Sequence, residues 1–189
     1  MLIIEALLLL TVFFFVASIA WSTIRVGISP MPSSQKAIKE MLQLTESTGD
    51  GPIYDLGSGW GTIVVRLARK YPQRQIVGYE ISLLPYLVSL FLKKLFHIDN
   101  LTLYRQDFTH ANLSAASVVV CYLFPGGMEK LTAIIDIAQD RETSSDNAKL
   151  KCRPDFIISN SFAFPSLQPE QEICLEDMYR LPVYRYQLK

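Results

Sequence analysis

In the run Asp55-Leu56-Gly57-Ser58-Gly59-Trp60-Gly61, an acid stands two residues ahead of three strictly alternating glycines. Glycine lets a backbone approach a ligand closely where a side chain would collide, and a turn between strand and helix offers its N–H groups to a polar ligand. The spacing separates this loop from a dinucleotide fingerprint, G-x-G-x-x-G, which cradles pyrophosphate on the helix N-terminus. An acid ahead of the glycines repels pyrophosphate and suits a zwitterion with a cationic group. Glu80 ends the next apolar run, from which a carboxylate accepts both hydroxyls of a ribose. Asp107 follows the third run, in YRQDF, with Phe108 beside it. Each acid taken singly reads as a solvated loop residue. Three of them at three successive strand ends describe a nucleoside pocket at the carboxyl edge of a sheet, with Phe108 available to an adenine ring.

The elements that must position these residues follow from hydrophobic pattern. Strand-like runs at Ile53–Leu56, Gln75–Tyr79, Leu101–Tyr104, Val118–Tyr122 and Phe156–Ser159 alternate with helical ones, which predicts an α/β fold, a parallel sheet with helices on both faces. Aromatic and branched residues around Ile173–Leu175 and Tyr179–Leu188 predict two antiparallel closing strands. A nicotinamide dehydrogenase would instead continue into a second parallel half and a substrate domain. The polar stretch Asp140–Arg153 reads as a surface loop.

With 18 Lys plus Arg against 18 Asp plus Glu, no global basic field draws the chain to nucleic acid. Cys121, Cys152 and Cys174 are widely spaced and accompanied by two histidines, so neither a disulfide framework nor a zinc site is indicated. No metal is expected. Of the histidines, His97 reads as a helix-end residue and His110 lies near the third pocket acid.

Ala6–Ile24 carries no charge and as a helix spans roughly 28 Å, which predicts an uncleaved single-pass anchor in the bilayer. Arg25, Lys36 and Lys39 follow it, which places the rest of the chain on the cytoplasmic side. The division expected is an anchor over 1–25, a linker and amphipathic helix over 26–52, with Ser33 or Ser34 as the cap, and a catalytic domain over 53–189. The helix after Glu80, Ser82–Ile98, is apolar nearly all round until Lys93 and Lys94. It is either buried against the sheet or rests an outer face on lipid.

The acid and glycine constellation resembles the class I, seven-stranded S-adenosylmethionine-dependent methyltransferases, with their Rossmann-like sheet. That resemblance implies that Asp55 and the backbone of Gly57, Ser58, Gly59 and Gly61 hold the aminoacyl end of S-adenosyl-L-methionine. It also implies that Glu80 holds the ribose and that Asp107 reaches the adenine amine. SPMPSSQKAIKEML, YDLGSGWGTIVVRLA and VVVCYLFPGGMEKL are similar to segments of the small membrane-anchored protein lysine methyltransferases, whose mitochondrial members modify an ATP synthase subunit and a nucleotide carrier. The implied activity is N-methylation of a lysine on a membrane protein. A lipid or small-molecule acceptor, and a non-catalytic cofactor-binding module, are the alternatives.

Two departures bear on the acceptor. Trp60 stands where these enzymes often carry a small acidic or polar residue, and CYLFP replaces the Asn/Asp-Pro-Pro-aromatic tetrapeptide of many nucleobase and glutamine methyltransferases. Tyr122, Phe124 and Pro125 either form an apolar mouth in which an amine loses solvent and becomes a neutral nucleophile, or are ordinary core. The chemistry asks mainly for alignment and exclusion of water, and no residue is marked as a base.

Overall fold

The computed structural model describes residues 2–26, 33–144, 153–176 and 180–188. Seven strands form one sheet: β1 (Ile53–Leu56), β2 (Ile76–Tyr79), β3 (Leu101–Tyr104), β4 (Val118–Cys121), β5 (Phe156–Asn160), β6 (Gln171–Cys174) and β7 (Pro182–Gln187). Their spatial order is β3-β2-β1-β4-β5-β7-β6. The first five are parallel, and β7 runs antiparallel between β5 and β6. The expected strands appear with their ends moved by a residue at Gln75, Tyr122 and Asn160. The closing pair begins earlier and later than its sequence signals.

The central strands are short runs such as IVGY and VVVC with every residue buried, as covering on both faces requires. One face carries α2 (Gln35–Leu44), α3 (Val64–Lys70) and α4 (Leu83–Leu95). Ser34 opens α2 by accepting the Ala37 N–H at 3.1 Å, and Ala37, Ile38, Met41 and Leu44 turn one apolar stripe to the sheet. The other face carries α5 (Pro125–Ser144), whose Met128, Leu131 and Ile135 pack with Leu56, Val119 and Tyr186, and two 3₁₀ turns at Phe108–His110 and Leu113–Ala115.

Two expectations need correction. Among the described residues, no helix is long and apolar enough to cross a membrane, which overturns the single-pass anchor and the cytoplasm-facing orientation drawn from it. The N-terminal helix α1 (Leu2–Val26) has Glu5 in its first turn and Thr11 within it, the latter bonding back to the Leu7 carbonyl, and it packs against α4. A span requires about 20 consecutive predominantly apolar residues surrounded by lipid. The polar stretch expected as a loop is helical as far as Ser144, because α5 continues through Asp140, while 145–152 lie outside the described residues. Most of the linker, 27–32, lies outside them too.

The sheet reverses direction of growth between β1 and β4, since β2 and β3 lie to one side and β5 to the other. Ligands bind in the crevice outside the carboxyl ends of the strands at such a switch point. The loops after β1 and β4 flank it.

Candidate functional site

Asp55 sits within β1 at 2 % exposure, opposite Gly78 on β2 and Val120 on β4. Its Oδ2 and the Ser58 Oγ are buried with no hydrogen-bond partner among the described residues. Burial, and then the neighbouring Glu80 carboxylate, push the Asp55 carboxyl up to about 7. A buried acid and hydroxyl without partners each cost about 1–3 kcal/mol, a debt that a ligand offering N–H donors or positive charge removes.

The loop after β1 is built from backbone. The N–H groups of Gly57 and Ser58 both bond the Tyr79 carbonyl at 2.9 Å, and the Gly61 N–H bonds the Ser58 carbonyl. Gly57, Gly59 and Gly61 take φ of 81°, 53° and 79°, the left-handed region. At Gly61 a close approach adds to this requirement, because a Cβ there would stand 2.8 Å from Ser89 Oγ on α4. The loop leads into α3 by way of Ile63.

Glu80, at the end of β2, ties this loop to the next. Its Oε2 accepts the Gly59 N–H at 2.8 Å and its Oε1 accepts the Ser82 N–H at 2.7 Å. Each carboxylate oxygen keeps a second lone pair for a ligand hydroxyl. Asp107 caps the first 3₁₀ turn, accepting the Thr109 N–H at 3.0 Å. Phe108 opens that turn, half-buried against the α5-side core. His110 is exposed beside Thr109, and His97 ends α4 with φ 50° and its ring against the Lys94 carbonyl.

On the β4 side, Tyr122 directly follows the strand and is half-buried. Leu123 faces the glycine loop, its Cδ2 lying 3.4 Å from where a Cβ on Gly57 would be. Phe124 lays its ring over Gly126 and Gly127 at the start of α5, and its carbonyl accepts the Gly127 and Met128 N–H groups. Pro125 is the first residue of α5 and is exposed. Tyr122 is the member of the expected trio that meets another aromatic ring, that of Phe162.

Sequence reasoning did not single out Ser89 or Phe162. Ser89 Oγ lies 2.9 Å from the Gly59 carbonyl and 3.1 Å from the Pro85 carbonyl, so the helix after Glu80 holds the glycine loop from behind. Its signal was present: one hydroxyl in the middle of LLPYLVSLFL. Phe162 gave none, since it belongs to no recognisable motif.

S-adenosylmethionine fits these residues, because its ammonium and sulfonium charges suit the orphaned, buried Asp55 and its ribose suits Glu80. When bound it supplies a methyl group already activated by attachment to a sulfonium. The chain's own residues would hold it: Asp55, the loop from Gly57 to Gly61 and Glu80 on one side of the switch point, with Asp107 further along the edge. Tyr122 and Leu123 close the other side. Among the described residues no cluster of His, Cys, Asp and Glu is arranged to hold a metal ion.

Comparison with known proteins agrees. The model of the ANTKMT methyltransferase domain matches residues 55–171. A protein-lysine N-methyltransferase of Saccharolobus islandicus is 23% identical over 148 residues, covering 78% of this chain and 84% of that protein. An RNA methyltransferase from Salinibacter ruber, crystallised with S-adenosyl-L-homocysteine, superposes with a TM-score of 0.66 at 27% identity, over 83% of this chain and 93% of the other. A precorrin 8w decarboxylase from Methanobacterium thermoautotrophicum superposes at 0.57 with 16% identity, over 84% and 93%, which shows the fold alone. The chain therefore belongs to the ANTKMT methyltransferase domain family and is an S-adenosylmethionine-dependent methyltransferase.

Proposed function

We propose that the methyl acceptor is the Nζ of a lysine in a protein. The carrying observation is the edge after β4, where the half-buried rings of Tyr122 and Phe124 flank a buried Leu123 in place of the polar tetrapeptide that grips a planar amide or base. In such surroundings an ammonium loses solvation, which lowers its pKa from the ordinary ~10.4 and favours the neutral nucleophile. Transfer then depends on alignment of nitrogen, methyl and sulfur with water excluded. The similarity to the Saccharolobus protein-lysine N-methyltransferase supports the same acceptor. That this protein lies in a membrane is implied by the resemblance to membrane-anchored enzymes, and with no membrane span among the described residues it is not part of the proposal.

The Salinibacter likeness favours a second reading, an RNA acceptor. The equal counts of acidic and basic residues, 18 each, weigh against it, because phosphate contacts dominate nucleic-acid affinity. A single experiment separates the two. The full chain is incubated with methyl-labelled S-adenosylmethionine and a cell extract, and the product is split between protease and ribonuclease. Label lost to protease and resistant to ribonuclease supports the lysine reading. Label lost to ribonuclease transfers the assignment to RNA.

A further inference from the structure

The turn that follows β5 is strained. Ser161 has φ 68°, and the Phe162 N–H bonds the Asn160 carbonyl two residues back at 2.9 Å. A three-residue turn of this bond pattern and positive φ is the rare, costly form of the γ-turn. It is pinned at three further points. Ser159 Oγ donates to the Phe162 carbonyl at 2.6 Å, the Ser161 N–H donates to the Pro182 carbonyl at 2.8 Å, and the Ser161 hydroxyl meets Asn160 Oδ1 at 3.2 Å.

The outcome of this bracing is the placement of one ring. Phe162 stacks on Tyr122, with centroids 6.3 Å apart and planes 20° from parallel, and both rings remain half-buried. Near-parallel rings at this distance are in the range of aromatic pairing and join the two side chains into one wall. β4 and β5 are neighbours in register, Cys121 beside Ser159, so the wall stands at the carboxyl edge on the acceptor side of the switch point. With centroids 6.3 Å apart, a cation placed against the pair can lie within the ~6 Å reach of both rings, where each ring's quadrupole attracts it.

We infer that Phe162 is a specificity-determining residue: with Tyr122 it forms a two-ring wall that receives the ammonium-bearing end of the acceptor, and the strained turn at Ser161 exists to hold it there. The inference rests on the lysine reading and deepens it. The wall recognises the side chain as a cation on arrival, before the proton is lost. It selects long alkylammonium groups over neutral hydroxyl acceptors.

The test compares full-length Phe162→Ala, Phe162→Leu and Phe162→Tyr with the parent chain, using poly-L-lysine as acceptor probe and calorimetric binding of S-adenosylhomocysteine as control. The expected result is a KM for poly-L-lysine raised about tenfold in Phe162→Ala and Phe162→Leu and restored in Phe162→Tyr, with cofactor-product affinity changed by less than about twofold throughout. Wild-type behaviour of Phe162→Leu would overturn the inference, since it makes the ring a mere apolar filler. Unchanged KM in Phe162→Ala overturns it as well, and so does a parallel loss of S-adenosylhomocysteine binding, which would make the ring structural. A parent chain that binds S-adenosylhomocysteine yet methylates no lysine refutes the lysine reading and the inference together. Failure of the Phe162 variants in a chain that does methylate lysine refutes the inference alone.

Discussion

Ser89, on the helix that follows Glu80, lies 2.9 Å from the carbonyl oxygen of Gly59, whose own N–H is bonded by Glu80 Oε2. The glycine loop is thus clamped between the carboxylate that would take the ribose and a hydroxyl on α4. Ser89→Ala removes the clamp and leaves the Gly59 carbonyl short of a donor, at about 1–2 kcal/mol. S-adenosylhomocysteine binding measured by calorimetry should weaken about fivefold to thirtyfold, with the far-ultraviolet circular dichroism of the chain unchanged.

Gly61 is held to glycine twice over, by its φ of 79° and by the approach of Ser89. Gly61→Ala should lower the urea midpoint by the equivalent of about 1–3 kcal/mol. In a Ser89→Gly background part of that loss should return, because the Oγ and Cβ contacts at 2.8 and 3.1 Å are gone while the φ remains. Full additivity of the two substitutions would show that the contact is unimportant.

Asp55 gives the site a pH dependence of definite sign. Its carboxyl is raised from 3.8 to about 7 in the folded chain, so the folded state holds the proton more tightly than the unfolded one. The contribution of Asp55 to stability of the ligand-free chain is therefore fully present below about pH 4, falls as pH rises and is lost above about pH 7. A cationic ligand favours the carboxylate, so cofactor binding should strengthen up to about pH 7 and then level off, with a proton released at lower pH. Calorimetry in two buffers of different ionisation enthalpy measures that release, and Asp55→Asn should abolish both the release and the slope.

At the opposite edge, Asn100 Nδ2 reaches the carbonyls of Ala68, Tyr71 and Arg74 at 3.0, 2.9 and 2.9 Å. One amide thereby ties the end of α3 to the start of β3. Asn100→Asp replaces the donor with an acceptor facing three carbonyls and should cost about 2–3 kcal/mol, read as a lower urea midpoint with an unchanged slope. Cofactor affinity of the folded fraction should stay as it was, since the site lies at the other end of the strands.

The sheet was legible because its strands are short, mostly apolar runs, with Asp55 inside the first, Glu80 directly after the second and Asp107 three residues beyond the third. The glycine spacing was legible for the same reason, as φ and close approach both demand glycine there. Phe162 was not, because its position depends on a turn braced by Ser159 and by Pro182, a partner twenty residues later that no local pattern announces. The run Asp140–Ser144 misled because its polar composition reads as a loop where α5 continues to Ser144. The N-terminal run misled in the opposite sense, since the absence of charge over Ala6–Ile24 reads as enough for a span, which α1 is not long and apolar enough to make.

The central claim is tested most directly by tandem mass spectrometry of an acceptor protein after incubation with the chain and S-adenosylmethionine carrying a deuterated methyl group. The account predicts deuterated methyl on lysine Nζ with the parent chain and a large loss of it with Asp55→Asn. Deuterated methyl on glutamine, on a terminal amine or in nucleic acid, or transfer to lysine undiminished by Asp55→Asn, would contradict it.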